Sequence, residues 1–191
     1  EMSYQIFIDG EVGTTGLQVR ERLMAHPEVS LIQLDDQHRK DPAYRYDAMA
    51  ASDVTILCLP DDSAVEAASL AAGLNCRIID ASTAHRTADG WVYGFPEMTA
   101  GQKDRIGGSR HIANVGCYAS GMIAMIRPLT ERGILSPDAG LHISAVSGYS
   151  GGGKALIGYM DAGSSPQHFA YALGLNHKHL PEVMMHGGLN R

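Results

Sequence analysis

A glycine-rich turn between a short apolar strand and an amphipathic helix constrains the fold of this chain most strongly. Residues 4–9 read YQIFID, a β-rich run, and residues 17–24 carry apolar side chains at helical spacing. Between them, Gly10, Gly13 and Gly16 form the pattern G-x-x-G-x-x-G. Such glycines let the backbone approach a pyrophosphate, whose charge is favoured by the free N–H groups at a helix N-terminus. The pattern predicts a dinucleotide site.

The residues after this loop leave the choice of dinucleotide open. Thr14 and Thr15 add hydroxyl donors within the loop itself. An acidic residue about 20 positions further on, here one of the aspartates at 35–36, commonly binds a ribose 2′-hydroxyl. A cation such as Arg39 or Lys40 would instead hold a 2′-phosphate. Both interpretations fit the residues, so the sequence pattern alone does not separate NAD from NADP.

Short apolar runs then alternate with helical patterns through the first part of the chain. Strands are predicted at 29–34, 54–59 and 77–81, and helices at 43–51 and 62–72. Nearly continuous apolar strands that alternate with helices are typical of a parallel sheet covered on both faces. We therefore predict an α/β fold, with a doubly wound Rossmann-type dinucleotide-binding domain over residues 2–117.

A second, incomplete α/β domain is predicted for residues 118–191. A helical pattern covers 118–132, an apolar run at 141–146 predicts a strand, and a final helix is expected at 177–185. The glycine-rich sequence SGYSGGGK follows the predicted strand at 147–154. The predicted sheet of this second domain lacks partners at one edge, so we expect it to be the first part of a larger catalytic domain.

Composition limits the class of protein. The 191 residues carry a formal net charge of −6 with no basic run, which argues against a nucleic-acid partner. No stretch approaches the ~20 apolar residues that span a bilayer, and the N-terminus lacks the layout of a signal peptide, so we expect a cytoplasmic protein without membrane partners. Three cysteines without C-x-x-C spacing make a disulfide framework or a cysteine-rich zinc site improbable.

Cys117 is the cysteine with a chemically promising position. It follows Gly116 at the predicted start of a helix, where the helix dipole and free amides stabilise a thiolate. Cys58 lies in the apolar run VTILCLP and Cys76 flanks another strand, positions typical of inert cysteines. Cys117 is therefore the candidate nucleophile.

Two histidines and a carboxylate cluster near the end of the chain. His177, His179 and Glu182 fall within six positions, in the sequence HKHLPE. Three interpretations stay open. The cluster could be a zinc site, although a clear further ligand is lacking, or it could supply a general acid/base for the Cys117 thiol that the carboxylate orients. It could also be an ordinary polar helix start. The residues in this cluster are poor evidence for a metal ion.

Five motifs in the same order resemble the N-acetyl-γ-glutamyl-phosphate reductases, and in particular the shorter type of that family. They are GEVGTTG, DASTAHR with the following WVYGFPE, NVGCYASG, SGYSGGGK and NHKHLPE, and together they cover nearly the whole chain. The chain is similar, more distantly, to aspartate-semialdehyde and glyceraldehyde-phosphate dehydrogenases. Val115 is a departure, since the family usually has Pro there, and relatives also continue beyond the position of Arg191.

The resemblance implies an oxidoreductase of arginine biosynthesis. With NADP(H) as cofactor, it would reduce a small-molecule substrate, N-acetyl-γ-glutamyl phosphate, to N-acetylglutamate semialdehyde and release phosphate. Cys117 matches the family's nucleophile and His177 its acid/base. The resemblance also implies a homo-oligomer. Alternatives are an aspartate-semialdehyde dehydrogenase activity, a regulatory nucleotide-binding module, and an inactive fragment that associates with longer subunits.

The anionic substrate requires cations and N–H donors around the thiol. Further residues are expected to hold the cofactor or the substrate, with Asn114 also a candidate for stabilising the oxyanion. The cofactor residues are Gly10, Gly13, Thr14, Thr15, Gly16 and Arg39, and the substrate residues are Asn114, Arg86, Ser150, Lys154, His179 and Glu182.

Overall fold

A computed structural model describes residues 3–163, 166 and 168–190. Its centre is a six-stranded sheet in which each pair of neighbouring strands is parallel, in the order β2-β1-β3-β4-β6-β5. The strands are β1 (Tyr4–Asp9), β2 (Val29–Ile32), β3 (Val54–Leu57), β4 (Arg77–Asp80), β5 (Val92–Tyr93) and β6 (His111–Ala113). The predicted α/β fold of the Rossmann type is confirmed.

Helices connect most of the strands. They are α1 (Thr14–Met24), α2 (Pro42–Ala50), α3 (Asp61–Leu70), α4 (Gln102–Gly108), α5 (Cys117–Glu131), α6 (Gly153–Asp161) and α7 (His179–Gly187), with a 3₁₀ turn at Tyr149–Gly152. Helix α2 begins where the sequence favours a start, because the Asp41 side chain accepts the Ala43 N–H at 2.9 Å and Pro42 follows it. No described helix combines the length and the apolar character that crossing a membrane requires.

Two apolar clusters hold these elements together. In the first, Met49 of α2 and Ala64 of α3 pack on Leu57 and Ile78 of the sheet, and Met49 and Leu57 are fully buried. Alanines on α3 let that helix approach the strands closely. In the second, Ile123 of α5 and residues of α7 pack beside β5. The second cluster joins the end of the chain to the edge of the parallel sheet.

The predicted strand at 141–146 is wrong. These residues lie in neither a helix nor a strand, and the Val146 side chain is 98% exposed. An apolar alternating run becomes a strand only when a neighbouring strand accepts its hydrogen bonds, and no strand among the described residues pairs with it. Helix α6, which follows the glycine-rich sequence, was not predicted, nor were β5 and α4. Strand β2 also ends two residues earlier than predicted.

Candidate active site

Close backbone packing explains the glycines of the first loop. Gly10 has φ of +88°, and a Cβ there would lie 2.4 Å from the Cys58 carbonyl oxygen. A Cβ on Gly16 would lie 2.4 Å from the Gly10 carbonyl oxygen, and the loop is closed by a 3.0 Å bond from the Gly13 N–H to that same oxygen. Helix α1 follows at once, without an acidic residue in its first turn. The loop thus presents free amides to an anion.

A cavity of about 370 Å³ opens beside this loop. Arg39, Lys40 and Cys58 contribute to its wall, together with the first residues of the loop. The Thr15 side chain is exposed, and the Thr14 side chain lies outside the described part of the structure. Another cavity, of about 470 Å³, lies at the opposite ends of β1, β3 and β4 and contacts none of the predicted site residues.

The acidic candidates for a ribose contact are engaged locally. Asp35 accepts the backbone N–H groups of Gln37 and His38 and the His38 ring nitrogen at 2.7 Å, and these bonds lower the pKa of its carboxyl group. The Asp36 side chain is 89% exposed and pairs with Arg39 at 3.1 Å. Neither aspartate lines the cavity, whereas Arg39 and Lys40 do, an arrangement that suits a 2′-phosphate.

A buried ion pair that the sequence did not reveal lies beneath the loop. Arg45 of α2 binds the Asp9 carboxylate with two nitrogens, at 2.7 and 3.0 Å, and both side chains are buried. Arg45 also reaches Glu66 at 3.5 Å. Because Asp9 ends β1, the pair fixes the point where the strand enters the glycine loop. The only sequence signal for this ion pair is the acidic residue at the end of an otherwise apolar strand.

Cys117 is the first residue of α5, and its side chain is exposed. Gly116 precedes it, at a position where a Cβ would lie 2.4 Å from Glu182 Oε1 and 2.6 Å from Arg86 Nη1. The exposed sulfur therefore lies at the N-terminus of α5, close to the free backbone amides of that helix. Cys58, in contrast, is half-buried, and burial raises the pKa of its thiol to about 11.

A buried carboxylate holds the cysteine loop from below. Glu182 is 1% exposed and accepts bonds from the Gly116 N–H at 3.1 Å, the Tyr93 hydroxyl at 2.7 Å and Arg86 Nη1 at 2.8 Å. The pKa of Tyr93 is raised mainly by burial and also by its hydrogen bond to the Glu182 carboxylate. Arg86 also donates to the Asn114 carbonyl oxygen at 2.9 Å. The network links α7 to the loop before α5.

This geometry corrects two predicted substrate contacts. Arg86 and Glu182 were expected to reach the substrate, but both side chains are buried and each binds partners within the protein. Charged groups so deeply buried are retained only when they are paired, and here they pair with each other. Their bonds hold the backbone of the cysteine loop, which favours a positioning role over direct contact with a ligand. Tyr93 completes the network, and its position in the sequence gave no sign of this role.

The two histidines have different surroundings. His177 is half-buried, and its Nδ1 accepts the His179 N–H at 3.1 Å. His179 is 7% exposed, lies 3.9 Å from Glu182, and has its pKa lowered mainly by burial. The ring is packed between His177 and Glu182, so the expectation that His179 binds substrate stays a prediction without support from its burial.

Tyr171 contacts the first of these histidines. Its ring meets the His177 ring edge-on, with centroids 6.2 Å apart. The Tyr171 side chain itself is 53% exposed. The sequence analysis did not select Tyr171. The described residues contain no group of three His, Cys, Asp or Glu side chains arranged to hold a metal ion.

The remaining predicted residues are distributed over the rim. The Asn114 side chain is exposed just after β6, close to Cys117 in the chain. Ser150 is exposed in the 3₁₀ turn, and within the described part of the chain no hydrogen bond joins it to Cys117. Lys154 was expected to bind the substrate, but its Nζ donates to the Val12 carbonyl oxygen at 3.2 Å, in the glycine loop. It therefore belongs to the dinucleotide side of the site.

Comparison with known proteins agrees with this geometry. Residues 37–105 match the family described as semialdehyde dehydrogenase, NAD binding domain, and residues 117–190 match semialdehyde dehydrogenase, dimerisation domain. The chain belongs to the semialdehyde dehydrogenase family. The glycine loop precedes the first matched range.

Curated relatives extend the similarity over the whole chain. Proteins named N-acetyl-gamma-glutamyl-phosphate reductase from Rhizobium meliloti and Allorhizobium ampelinum are 49% and 50% identical over 196 residues, which include 100% of this chain. A protein of the same name from Brucella anthropi is 48% identical. This chain spans 63% of the length of each of these relatives.

Solved structures support the fold. An aspartate semialdehyde dehydrogenase from Francisella tularensis matches 87% of this chain and 52% of its own, with a TM-score of 0.62 and 16% identity. An aspartate semialdehyde dehydrogenase II from Vibrio cholerae matches 90% of this chain and 56% of its own, with a TM-score of 0.54 and 16% identity. At this identity the likeness concerns the fold alone.

Proposed function

We propose that this chain forms the cofactor-binding and thiol-bearing part of an N-acetyl-γ-glutamyl-phosphate reductase of arginine biosynthesis. The observation that carries the proposal is the exposed Cys117 at the start of α5, whose preceding residue Gly116 is bound by the buried Glu182 carboxylate. The relatives that share half of its residues bear that name. The reaction converts the γ-acyl phosphate to a semialdehyde and releases phosphate.

The residues around Cys117 suit acyl transfer followed by reduction. The Cys117 thiolate attacks the acyl carbon and expels phosphate, which leaves a thioester on the sulfur. After reduction of the thioester carbonyl, His177 Nε2 protonates the alkoxide and then removes that proton as the C–S bond breaks and the aldehyde leaves. The α5 amides and the Asn114 side chain are placed to stabilise negative charge on the carbonyl oxygen.

The cavity beside the glycine loop fits NADP(H). When bound, the reduced nicotinamide supplies a hydride. The loop Gly10–Gly16 and the start of α1 receive the pyrophosphate, and Arg39 with Lys40 receives a 2′-phosphate. The absence of acidic residues from the first turn of α1 and the local engagement of Asp35 favour this assignment.

The two parts of the chain have different roles in this proposal. Residues 2–117 carry the dinucleotide site, and residues 118–191 carry the first part of the substrate domain. The match of residues 117–190 to a dimerisation domain supports assembly into a homo-oligomer. A cytoplasmic location agrees with the biosynthetic role.

Aspartate-semialdehyde dehydrogenase activity is the second candidate, because solved structures with the same fold bear that name. The two substrates carry different groups on the α-nitrogen, so the activities separate in one assay. Phosphate-dependent reduction of NADP⁺ is measured with N-acetylglutamate semialdehyde and with aspartate semialdehyde. Faster turnover of the acetylated substrate is expected, and turnover of aspartate semialdehyde alone would contradict the proposal.

The nucleophile is tested in the same assay. Cys117→Ser is expected to lower turnover by about three orders of magnitude or more, because the hydroxyl is a poor nucleophile where the thiolate acts. NADPH binding should persist, since Cys117 lies outside the cofactor cavity. Cys76→Ala, a change at a buried cysteine away from the site, serves as the matched control. Equal rates for Cys117→Ser and the parent would refute the assignment.

A further inference from the structure

Lys154 joins two glycine-rich segments that are far apart in the sequence. Its Nζ donates to the Val12 carbonyl oxygen at 3.2 Å, across 142 positions. Gly153, just before it, has φ of +71°, a left-handed conformation that glycine adopts without strain. This turn brings the start of α6 over the loop between β1 and α1.

The charge of Lys154 has no carboxylate to match it. Among the described residues, no acidic side chain lies within 4 Å of its Nζ, whereas two arginines near the loop are paired. Arg45 binds Asp9, and Arg20 lies 3.8 Å from Glu11. A neutral carbonyl oxygen is a weak partner for an ammonium group compared with an ionised oxygen. Lys154 is therefore a free cation at a loop built for an anion.

We propose that Lys154 binds the pyrophosphate of the dinucleotide, in place of the substrate contact expected from its sequence motif. In the bound state its Nζ exchanges the Val12 carbonyl oxygen for a phosphate oxygen, which lies at the same loop. The inference rests on the proposed dinucleotide site. It adds a ligand from the second half of the chain to a site otherwise formed by the first half.

Such a contact couples cofactor binding to the second half of the chain. The segment 147–153 is exposed throughout most of its length, and α6 has no buried residue. A charge-assisted bond from Lys154 to the bound dinucleotide would hold this segment against the glycine loop. Binding energy from the cofactor would then order the part of the chain that follows Cys117 and α5.

Calorimetric titration of the whole chain tests the inference with two probes. NADPH carries the pyrophosphate and the 2′-phosphate, whereas adenosine 2′-monophosphate carries only the latter. Lys154→Ala is expected to weaken NADPH binding about tenfold, the loss of one charge-assisted bond, and to leave adenosine 2′-monophosphate unchanged. Lys154→Arg should retain most of the NADPH affinity, because it keeps the charge.

Two controls separate the causes of any change. Lys103→Ala removes an equally exposed charge from α4 and should not alter the affinity for either probe. Arg39→Ala should weaken both probes. Equal loss of the two probes in Lys154→Ala, or parental NADPH affinity, would overturn the inference while leaving the proposed function intact. Failure of the parent to bind NADPH would overturn both.

Hydrogen exchange gives an independent measurement of the coupling. Saturating NADPH should slow exchange of the amides at 147–158 in the parent by severalfold, and Lys154→Ala at saturating NADPH should lose this protection. Protection that is equal in the two proteins would contradict the role of Lys154 as the connecting residue. Amides of β1 and β3 report that the sheet itself is unchanged.

Discussion

Cys58 and Cys117 both follow the carboxyl end of a parallel strand, yet their surroundings differ in every respect that matters for reactivity. Cys58 comes after β3, half-buried in the wall of the cofactor cavity, where burial and the charges of Asp80 and Asp9 raise the pKa of its thiol. Cys117 comes after β6 and opens α5 with an exposed sulfur. We therefore expect exposure at a helix start, and not position relative to the sheet, to distinguish the nucleophile.

Alkylation kinetics give the largest expected contrast between the two cysteines. At pH 8 a thiol with a pKa of about 11 is roughly one part in a thousand thiolate, because each pH unit changes the ratio tenfold. Iodoacetamide should therefore modify Cys117 while Cys58 stays unmodified. The rate at Cys58 should rise about tenfold per unit up to about pH 11. Peptide mass spectrometry over time measures both sites, and preferential labelling of Cys58 at pH 8 would break the comparison.

Removing the buried carboxylate beneath Cys117 should produce the next largest effect. Glu182→Ala leaves Arg86 buried without its charge partner, which costs about 3–5 kcal/mol of unfolding free energy. Urea denaturation measures the loss, and Glu97→Ala, at an exposed carboxylate, is the matched control. A loss below about 1 kcal/mol would show that Glu182 does not hold the cysteine loop.

The substitutions Gly10→Ala and Gly116→Ala test how tightly the backbone is packed near Cys58 and near Cys117. In Gly10→Ala the new Cβ meets the Cys58 backbone at 2.4 Å in a left-handed conformation, so about 1–3 kcal/mol should be lost. In Gly116→Ala the new Cβ meets the Glu182 and Arg86 side chains. These side chains can move away only if the hydrogen bonds between them and to the Gly116 N–H break. Thermal melts report stability. Activity should fall with Gly116→Ala even where most of the fold survives, and unchanged turnover would contradict the positioning role.

The fold was predictable wherever local pattern and tertiary packing agree. Strands β1, β3 and β4 are apolar runs buried in the middle of the sheet, and α2 has its own start signals. The two-residue β5 carries too little periodicity to be recognised, and it forms because β6 offers a partner. The exposed run at 141–146 is the converse case: it has the pattern of a strand, but no described strand pairs with it.

The candidate site divides in the same way. By itself the sequence determined the glycine loop and Cys117 at a helix start, because each depends on residue type and on neighbours in the chain. His177 as the acid/base is what the family resemblance implies, and it stays a prediction. The tertiary structure alone decided that Arg86 and Glu182 bind each other, that Tyr171 contacts His177, and that Lys154 lies on the glycine loop. Burial and pairing between distant segments decide what a charged side chain can reach, and no local pattern encodes them.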